Sequence, residues 1–172
     1  MRHLFGYGLA NKESGRLIFV CTGNYYRSRL AELLFNHYAA LAGLGWRAES
    51  RGLVVTGRLR GIAPEARDYA ESHGLPDVPD RNPLPLLVDE LAAAGLVVLM
   101  NRAEHEPLME RDFRPILRLL VSRDAVRAWN VFDLPVPRAG WGAEPVPSQP
   151  GVSSTEHIHF AVRTLLSELQ TS

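Results

Sequence analysis

The sequence predicts an α/β domain of three layers, in which helices cover both faces of a four-stranded parallel sheet. Two short runs, Leu17–Cys21 (LIFVC) and Gly95–Met100 (GLVVLM), are apolar throughout, a pattern typical of parallel strands buried on both faces. Segments with helical spacing of apolar residues separate the strand candidates, which favours parallel strands joined by crossover helices. Because ligands bind beyond the carboxyl ends of such strands, we expect the functional residues there.

The composition fits one domain and argues against several classes of protein. The 172 residues suit a single domain. Hydrophobic residues make up 46% of the chain, which is enough for a core and excludes a chain that is disordered throughout. Nineteen basic residues balance nineteen acidic ones, so a strongly basic nucleic-acid-binding protein and a polyacidic tail are both disfavoured.

The chain has a single cysteine, Cys21, which limits the disulfide and zinc chemistry that is possible and bears on where in the cell the protein works. One cysteine allows no intramolecular disulfide bond and no zinc site built from cysteines. The sequence shows no charged start leading into an apolar signal core, and no apolar run approaches the ~18 residues of a transmembrane helix. We therefore expect a cytoplasmic protein with no membrane partner, and no motif indicates a metal site or a cofactor.

The chain divides into an N-terminal extension, residues 1–15, and one domain, residues 16–172. Within the domain, glycine and proline mark the ends of the predicted helices. The predicted elements of the first half are the strand Leu17–Cys21, a helix from Arg27 that ends before Gly43, the strand Ala48–Val55, a helix from Pro64 to His73, a helix introduced by Pro83 and Pro85 that runs to Ala94, and the strand Gly95–Met100.

The second half contains a long proline-rich connection, residues 134–152, with five prolines. A connection of this length without its own structure often carries function. The predicted elements are helices at 103–110 and 115–122, a strand at 128–132 (AWNVF), and an amphipathic helix that Ser153 and Glu156 begin as a capping box.

The chemistry is expected in the loop Cys21–Ser28 (CTGNYYRS), which connects the first strand to a helix. Its backbone N–H groups and the positive end of the helix suit a tetrahedral oxyanion, and the same field favours the thiolate of Cys21. Arg27 can donate two parallel hydrogen bonds to phosphoryl oxygens, Ser28 can donate to the thiolate, and Asn24 tolerates a left-handed backbone. The residues expected to bind phosphate beside Arg27 are Thr22, Gly23, Asn24, Tyr25, Tyr26 and Ser28.

These residues resemble the low-molecular-weight protein tyrosine phosphatase family. The loop is similar to the family pattern Cys-x-Gly-Asn-x-Cys-Arg-Ser at every fixed position except one. The likeness spans about residues 16–170. Three further segments carry it: Ser50-Arg51-Gly52, similar to the family's Ser-Ala-Gly; Gly95–Met100 with Asn101 and His105, similar to its third strand and the acidic segment behind it; and Phe132-Asp133 with Pro135, similar to its Asp-Pro loop.

The resemblance implies a two-step phosphatase mechanism that needs no metal. The Cys21 thiolate attacks phosphorus and forms a phosphocysteine, while Asp133 protonates the leaving oxygen. Water then hydrolyses the intermediate with Asp133 as base, and Arg27 with the backbone amides stabilises the phosphoryl oxygens. The implied substrate is phosphotyrosine or a related phosphoryl-amino-acid monoester, on a protein or a small molecule, and no nucleic-acid partner is expected.

Several positions depart from the family pattern. Tyr26 stands where the family has a second loop cysteine, so the protective disulfide with the nucleophile cannot form. Leu134 separates Asp133 from the proline that follows it, so that proline has moved by one position. Asn101 stands where an acid is expected, and Trp141 is a candidate to replace the missing aromatic wall of the substrate pocket.

The placement of three other side chains stays open at this point. Tyr25 and Tyr26 either face the mouth of the pocket or pack under the loop. His105 is either a support for the phosphate loop or an ordinary core-edge histidine.

Three other functions fit parts of the pattern. A catalytically degenerate pseudophosphatase that binds phosphorylated partners fits the altered acid loop. An arsenate reductase shares the fold and the loop, but its thiol-coupled type needs further cysteines that this chain lacks. A phosphocarrier domain also places a cysteine between a strand and a helix, but Arg27 and Asp133 fit hydrolysis better.

Overall fold

Four strands and five helices form the described part of this computed structural model, residues 14–134 and 153–171. In chain order the elements are β1 (Ser14–Cys21), α1 (Arg27–Leu41), β2 (Gly45–Gly52), α2 (Pro64–Ser72), α3 (Val88–Ala93), β3 (Leu96–Leu99), α4 (Arg102–Ser122), β4 (Val126–Ala128) and α5 (Ser154–Gln170).

The predicted four-stranded parallel sheet is confirmed, with the strand order β2–β1–β3–β4. β1 is central and pairs with β2 along its whole length, so Cys21 lies opposite Gly52. β3 pairs with the other side of β1, from Leu17 opposite Leu96 to Val20 opposite Leu99. The carboxyl ends of these three strands therefore meet at one edge, where the loop after Cys21 begins.

Alternate side chains of β1 enter two separate cores, which explains why this strand is apolar throughout. Leu17 and Phe19 pack in the core that contains α1, α2 and α5. Ile18 and Val20 pack in the core that contains α3 and α4. Helices on both faces exclude water from every β1 side chain of this run, and the three-layer prediction is confirmed.

The helix predicted after Pro83 and Pro85 is present, but it begins a few residues later than expected. α3 begins only at Val88, and residues 76–87 form an extended segment that we call the strap. Its backbone is held by Gly52, whose N–H donates to the Leu84 carbonyl and whose carbonyl accepts from the Leu86 N–H. These tertiary hydrogen bonds, together with the prolines of the strap, keep residues 84–87 outside the helix.

The bounds of two other elements also differ from the prediction. The two helices expected at 103–110 and 115–122 are one stretch, α4, with non-helical angles at Phe113 (φ −133°, ψ 24°) just before Pro115. A proline inside a helix removes one backbone hydrogen bond and crowds the preceding turn, which accounts for the kink.

The last strand ends earlier than the predicted strand at 128–132. β4 stops at Ala128. Beyond it the backbone stays beside β3, since the N–H groups of Trp129 and Val131 donate to the carbonyls of Leu99 and Met100, and Asn130 forms an antiparallel bridge with Asn101. β2 likewise covers Gly45–Gly52 rather than 48–55.

The helical cap predicted before the last helix is confirmed. The Ser153 hydroxyl accepts a hydrogen bond of 3.3 Å from the Glu156 N–H at the start of α5. No helix within the two described ranges is long and apolar enough to cross a membrane.

Candidate active site

Cys21 ends β1 and is 3% exposed. Its Sγ lies 3.2 Å from the backbone nitrogen of Asn24 and 2.9 Å from the Ser28 hydroxyl. The loop between them leads into α1, so the sulfur lies near the first turn of a 15-residue helix. Backbone N–H donors and a helix N-terminus favour negative charge at this position.

Asn24 determines the shape of this loop. Its φ of 51° is left-handed, which asparagine tolerates better than most residues. Its Nδ2 donates to the hydroxyls of Ser28 and Ser50, each at 2.9 Å. Its Oδ1 accepts from the Leu84 N–H at 3.0 Å. The buried amide thus ties the loop to α1, β2 and the strap.

Gly52, at the end of β2, allows the sheet to lie directly against the loop. A Cβ atom there would lie 2.9 Å from the Thr22 carbonyl oxygen. Such a distance is too short for a side chain facing rigid backbone. The Ser50-Arg51-Gly52 segment therefore supports the loop in two ways. The Ser50 hydroxyl accepts from Asn24, and Gly52, which has no side chain, lets the loop backbone lie close to β2.

Arg27 is 2% exposed and is held by the carboxylate of Glu104. Nη1 and Nη2 donate to the two carboxylate oxygens at 3.1 and 2.9 Å, and Nη1 also donates to the Val131 carbonyl at 3.0 Å. This geometry occupies one end of the guanidinium and leaves the edge formed by Nε and Nη2 for a phosphoryl group.

Glu104 was missed by the sequence reasoning, which expected an acid at position 101. Asn101 instead caps α4, because its Oδ1 accepts from the Glu104 N–H at 3.1 Å. The carboxylate comes from the first turn of that helix, three residues later. Burial opposes ionisation of Glu104, but the hydrogen bonds and charge of Arg27 hold the pKa of its carboxyl below the ordinary value. An acidic residue three positions after a cap is the signal that could have indicated it.

His105 supports the loop as a neutral donor. It is fully buried, and its Nδ1 accepts a 3.0 Å hydrogen bond from the Asn101 N–H. The ring proton is therefore on Nε2, which donates to the Thr22 hydroxyl at 3.1 Å. Burial lowers the pKa of His105 to about 4, so the ring is uncharged at neutral pH.

Asp133 lies close to the Arg27 guanidinium. Its Oδ2 is 3.8 Å from Arg27 Nη2, and its side chain is 37% exposed. Its Oδ1 accepts from the N–H of Leu134 at 2.9 Å, a local turn contact. Pro135 and Trp141, which the sequence reasoning singled out, lie outside the described residues.

Tyr26 packs under the loop instead of facing its opening. Its ring is 4% exposed, and its hydroxyl lies 2.7 Å from the Ser154 hydroxyl at the start of α5. Burial raises the pKa of Tyr26 to about 12. Tyr25 is half-buried against the same core, and its carbonyl accepts from the Ala63 N–H. Gly23 lies at the loop surface, where an added Cβ would meet Leu59 at 3.5 Å.

The structure thus brings the predicted loop residues, Arg27 and Asp133 to one edge of the sheet. Within residues 14–134 and 153–171, no three side chains of His, Cys, Asp or Glu are grouped to hold a metal ion. The arrangement combines a sulfur, hydrogen-bond donors for an oxyanion and two half-exposed carboxylates, of which Glu104 pairs with Arg27 at 2.9 Å and Asp133 lies 3.8 Å from it. Chemically it can attack a tetrahedral phosphorus centre and exchange a proton with its substituent.

Comparison with known proteins agrees with this geometry. The family model for low molecular weight phosphotyrosine protein phosphatases matches residues 16–140. No curated protein sequence matches the chain significantly.

Solved structures share the fold at low sequence identity. A low molecular weight protein tyrosine phosphatase from Bacillus subtilis has a TM-score of 0.66 at 23% identity, over 91% of this chain and 98% of that one. The YwlE arginine phosphatase from Geobacillus stearothermophilus has a TM-score of 0.61 at 18% identity, over 91% and 94%. A thioredoxin-dependent arsenate reductase from Corynebacterium glutamicum has a TM-score of 0.61 at 20% identity, over 93% and 64%.

Proposed function

The chain belongs to the low molecular weight phosphotyrosine protein phosphatase family, and from that premise we propose that it hydrolyses phosphotyrosine or a related phosphoryl-amino-acid monoester through a phosphocysteine. The observation that carries the proposal is the surroundings of Cys21. Its sulfur lies within hydrogen-bond distance of a backbone N–H and of Ser28, at the start of the helix that also carries Arg27.

In the first step the Cys21 thiolate attacks phosphorus, so that a P–S bond forms and the P–O bond to the leaving group breaks. Asp133 gives its proton to the leaving oxygen. The free edge of Arg27 and the N–H groups of residues 22–28 stabilise the charge on the other phosphoryl oxygens. Thr22, Gly23, Asn24, Tyr25, Tyr26 and Ser28 are the residues that would surround the phosphate.

In the second step water attacks the phosphocysteine. Asp133 accepts the proton of the water, the P–S bond breaks, and Cys21 returns to the thiolate with release of inorganic phosphate. Asp133 must reach the leaving oxygen in the first step and the oxygen of the attacking water in the second, and both oxygens occupy the same position. Its half-exposed carboxylate, 3.8 Å from Arg27 Nη2, is compatible with that role.

The substrates proposed here are phosphorylated proteins or small phosphomonoesters of the cytoplasm. Phosphoarginine is included among the side chains to be tested, because a structurally similar protein is an arginine phosphatase. Arsenate reduction is disfavoured, because thiol-coupled reduction needs additional cysteines and this chain has only Cys21.

A second candidate is a pseudophosphatase that binds phosphorylated partners without turnover. The observation that favours it is Leu134, which stands where the family has the proline after its acid. The contact of Asp133 with the N–H of Leu134 shows an acid held by its own turn. Such an acid would leave oxyanion binding intact while impairing protonation of the leaving group.

The test is hydrolysis of p-nitrophenyl phosphate between pH 5 and 8 without added metal, with Cys21→Ser measured beside the wild type. We expect turnover in the wild type and a loss of roughly 10⁴-fold or more in the variant, because serine is a far weaker nucleophile. Calorimetry with inorganic phosphate is the control, since both proteins should bind it.

Three outcomes discriminate the candidates. Turnover that depends on Cys21 supports the phosphatase. Phosphate binding without turnover, on aryl phosphate and on phosphotyrosine and phosphoarginine peptides, supports the pseudophosphatase. Turnover in Cys21→Ser close to that of the wild type contradicts the covalent mechanism.

A further inference from the structure

We propose that Arg81, in the strap, is a positioning residue that acts on the Cys21 sulfur through a directed chain of hydrogen bonds. The link to turnover rests on the proposed phosphatase function, but the chain itself is a property of the folded loop. Arg81 lies 57 residues from Asn24 in the sequence, and no sequence motif indicated a role for it.

Arg81 contacts the two residues that hold the loop from behind. Nη1 donates to Asn24 Oδ1 at 3.0 Å. Nη2 donates to the Ser50 hydroxyl at 2.9 Å and to the Ser50 carbonyl at 3.2 Å. One guanidinium therefore joins the left-handed loop residue to the end of β2.

The direction of the hydrogen-bond chain is determined by the groups that can donate but cannot accept, which are the Arg81 guanidinium and the Leu84 N–H. A guanidinium and a backbone N–H have no acceptor atom, so the two donors facing one end of the Asn24 amide, Arg81 and Leu84, identify that end as Oδ1. The opposite end is then Nδ2, which donates to the Ser28 hydroxyl. That leaves the proton of Ser28 for the Cys21 sulfur, 2.9 Å away.

The chain thus runs from a cation to the sulfur: Arg81 to Asn24, Asn24 to Ser28, Ser28 to Cys21. Donors in series polarise one another, and a charged first donor strengthens each later bond. A polarised Ser28 hydroxyl stabilises the thiolate over the thiol. The proposal is that this stabilisation is lost when the cation at the start of the chain is removed.

Other charged groups face both ends of the chain. Glu32 is 3.5 Å from Arg81, and Arg51 and Glu49 also act on its charge. Arg29 and Arg81 repel each other. Around the loop the charged groups are Arg27, with Glu104 and Asp133 against it, while His105 is neutral. None of these groups contacts Asn24 in the hydrogen bonds described, so the Arg81 link to Asn24 can be tested separately.

The strap is anchored independently of the Arg81 side chain. The fully buried Arg29 donates to the backbone carbonyls of Arg81 and Pro79, each at 2.8 Å. The backbone of Leu84 and Leu86 bonds to Gly52. A substitution of the Arg81 side chain should therefore leave the strap in place while it removes the donors to Asn24 and Ser50 and the ion pair with Glu32. The double-mutant cycle below isolates the part of the effect that passes through Asn24 and Ser28.

The test is the rate at which iodoacetamide alkylates Cys21 at pH 7, which requires no turnover. We expect Arg81→Gln to slow alkylation about fivefold to tenfold, because less thiolate is present, with a similar fall in kcat for p-nitrophenyl phosphate. Arg81→Lys, which keeps a cation, should recover part of the loss. Arg67→Gln is the matched control, since Arg67 pairs with Asp80 at the exposed side of the strap.

A double-mutant cycle tests whether the effect passes through the chain. If it does, Arg81→Gln adds little once Ser28→Ala has removed the last link, whereas additive effects overturn the proposal. An alkylation rate in Arg81→Gln equal to the wild type also overturns it. If Arg81→Gln fails to fold, Arg81→Lys decides: alkylation as slow as in Ser28→Ala contradicts a role for the cation.

The alkylation readout separates this proposal from the proposed function. Slowed alkylation in Arg81→Gln supports the chain even if the wild type turns over none of the substrates tested. Normal turnover in the wild type together with unchanged alkylation in Arg81→Gln retains the phosphatase and overturns the chain.

Discussion

The loop Cys21–Ser28 and the segment that carries Asp133 meet at the Arg27 side chain and are held in different ways. The loop is tied through Asn24 to α1, β2 and the strap, and through Thr22 to α4. Asp133 accepts from the N–H of the next residue, and its other oxygen is 3.8 Å from Arg27. One region is fixed by several buried partners, and the other is half-exposed.

The difference shows which part of the proposed mechanism tolerates change in sequence. Oxyanion binding and nucleophilic attack need donors that are fixed before the substrate arrives. Proton transfer needs one carboxylate that reaches one oxygen. At the loop, Glu104 supplies Arg27 with a carboxylate, whereas an acid was expected at position 101. The shifted proline follows Asp133, whose side chain is half-exposed.

Among the variants that compare the two regions, Asp133→Asn should change the rate of hydrolysis most. The variant keeps the size of the side chain but cannot give a proton, so hydrolysis of an alkyl phosphate should fall by about 10²–10³-fold. Hydrolysis of p-nitrophenyl phosphate, whose leaving group needs little protonation, should fall much less. The measurement is kcat for both substrates.

Asp124→Asn is the matched control, because Asp124 is exposed and pairs with Arg127 in the turn before β4. It should change neither rate. Inorganic phosphate should still bind Asp133→Asn, since the loop supplies that affinity. An unchanged rate of Asp133→Asn on the alkyl phosphate would remove Asp133 from the mechanism.

A smaller effect is expected from Glu104→Gln, which weakens the contact between residue 104 and the Arg27 guanidinium. Loss of a charged hydrogen-bond partner should lower kcat for p-nitrophenyl phosphate about tenfold, or roughly 1.4 kcal/mol. Phosphate affinity should change less, because removing a nearby negative charge favours the anion while a less ordered Arg27 disfavours it.

Glu106→Gln is the control on the same helix, where Glu106 pairs with Arg102 at the surface. We expect kinetics equal to the wild type. If Glu104→Gln keeps the wild-type kcat and KM, then the Val131 carbonyl and the other surroundings of Arg27 are sufficient to orient the guanidinium.

The smallest effect is expected from Tyr26→Phe, which removes the hydroxyl contact with Ser154. One buried hydrogen bond contributes about 1 kcal/mol, so Tm should fall by roughly 2–4 °C, with little change in kcat for p-nitrophenyl phosphate. Ser154→Ala should have a similar effect, and the double variant should lose less stability than the sum of the two. Additive losses would show that the two hydroxyls do not act as a pair.

The sequence by itself determined the fold class and the identity of the loop. Both follow from contacts between residues close in the chain: an apolar strand, a cysteine, a tight turn and a helix within Leu17–Leu41. The cap at Ser153 is equally local, and it too was predicted correctly. The family match covers residues 16–140 and agrees with this local pattern.

Only the tertiary structure decided which side chains support the loop. Glu104 lies 77 residues from Arg27, and Arg81 lies 57 residues from Asn24, so no local spacing links either pair. The end of the strap, after Pro83 and Pro85, was expected to begin a helix, but its hydrogen bonds with Gly52 delay the helix to Val88. The physical reason is that short-range periodicity reports backbone geometry and burial, whereas buried polar groups find their partners wherever packing brings a donor and an acceptor together.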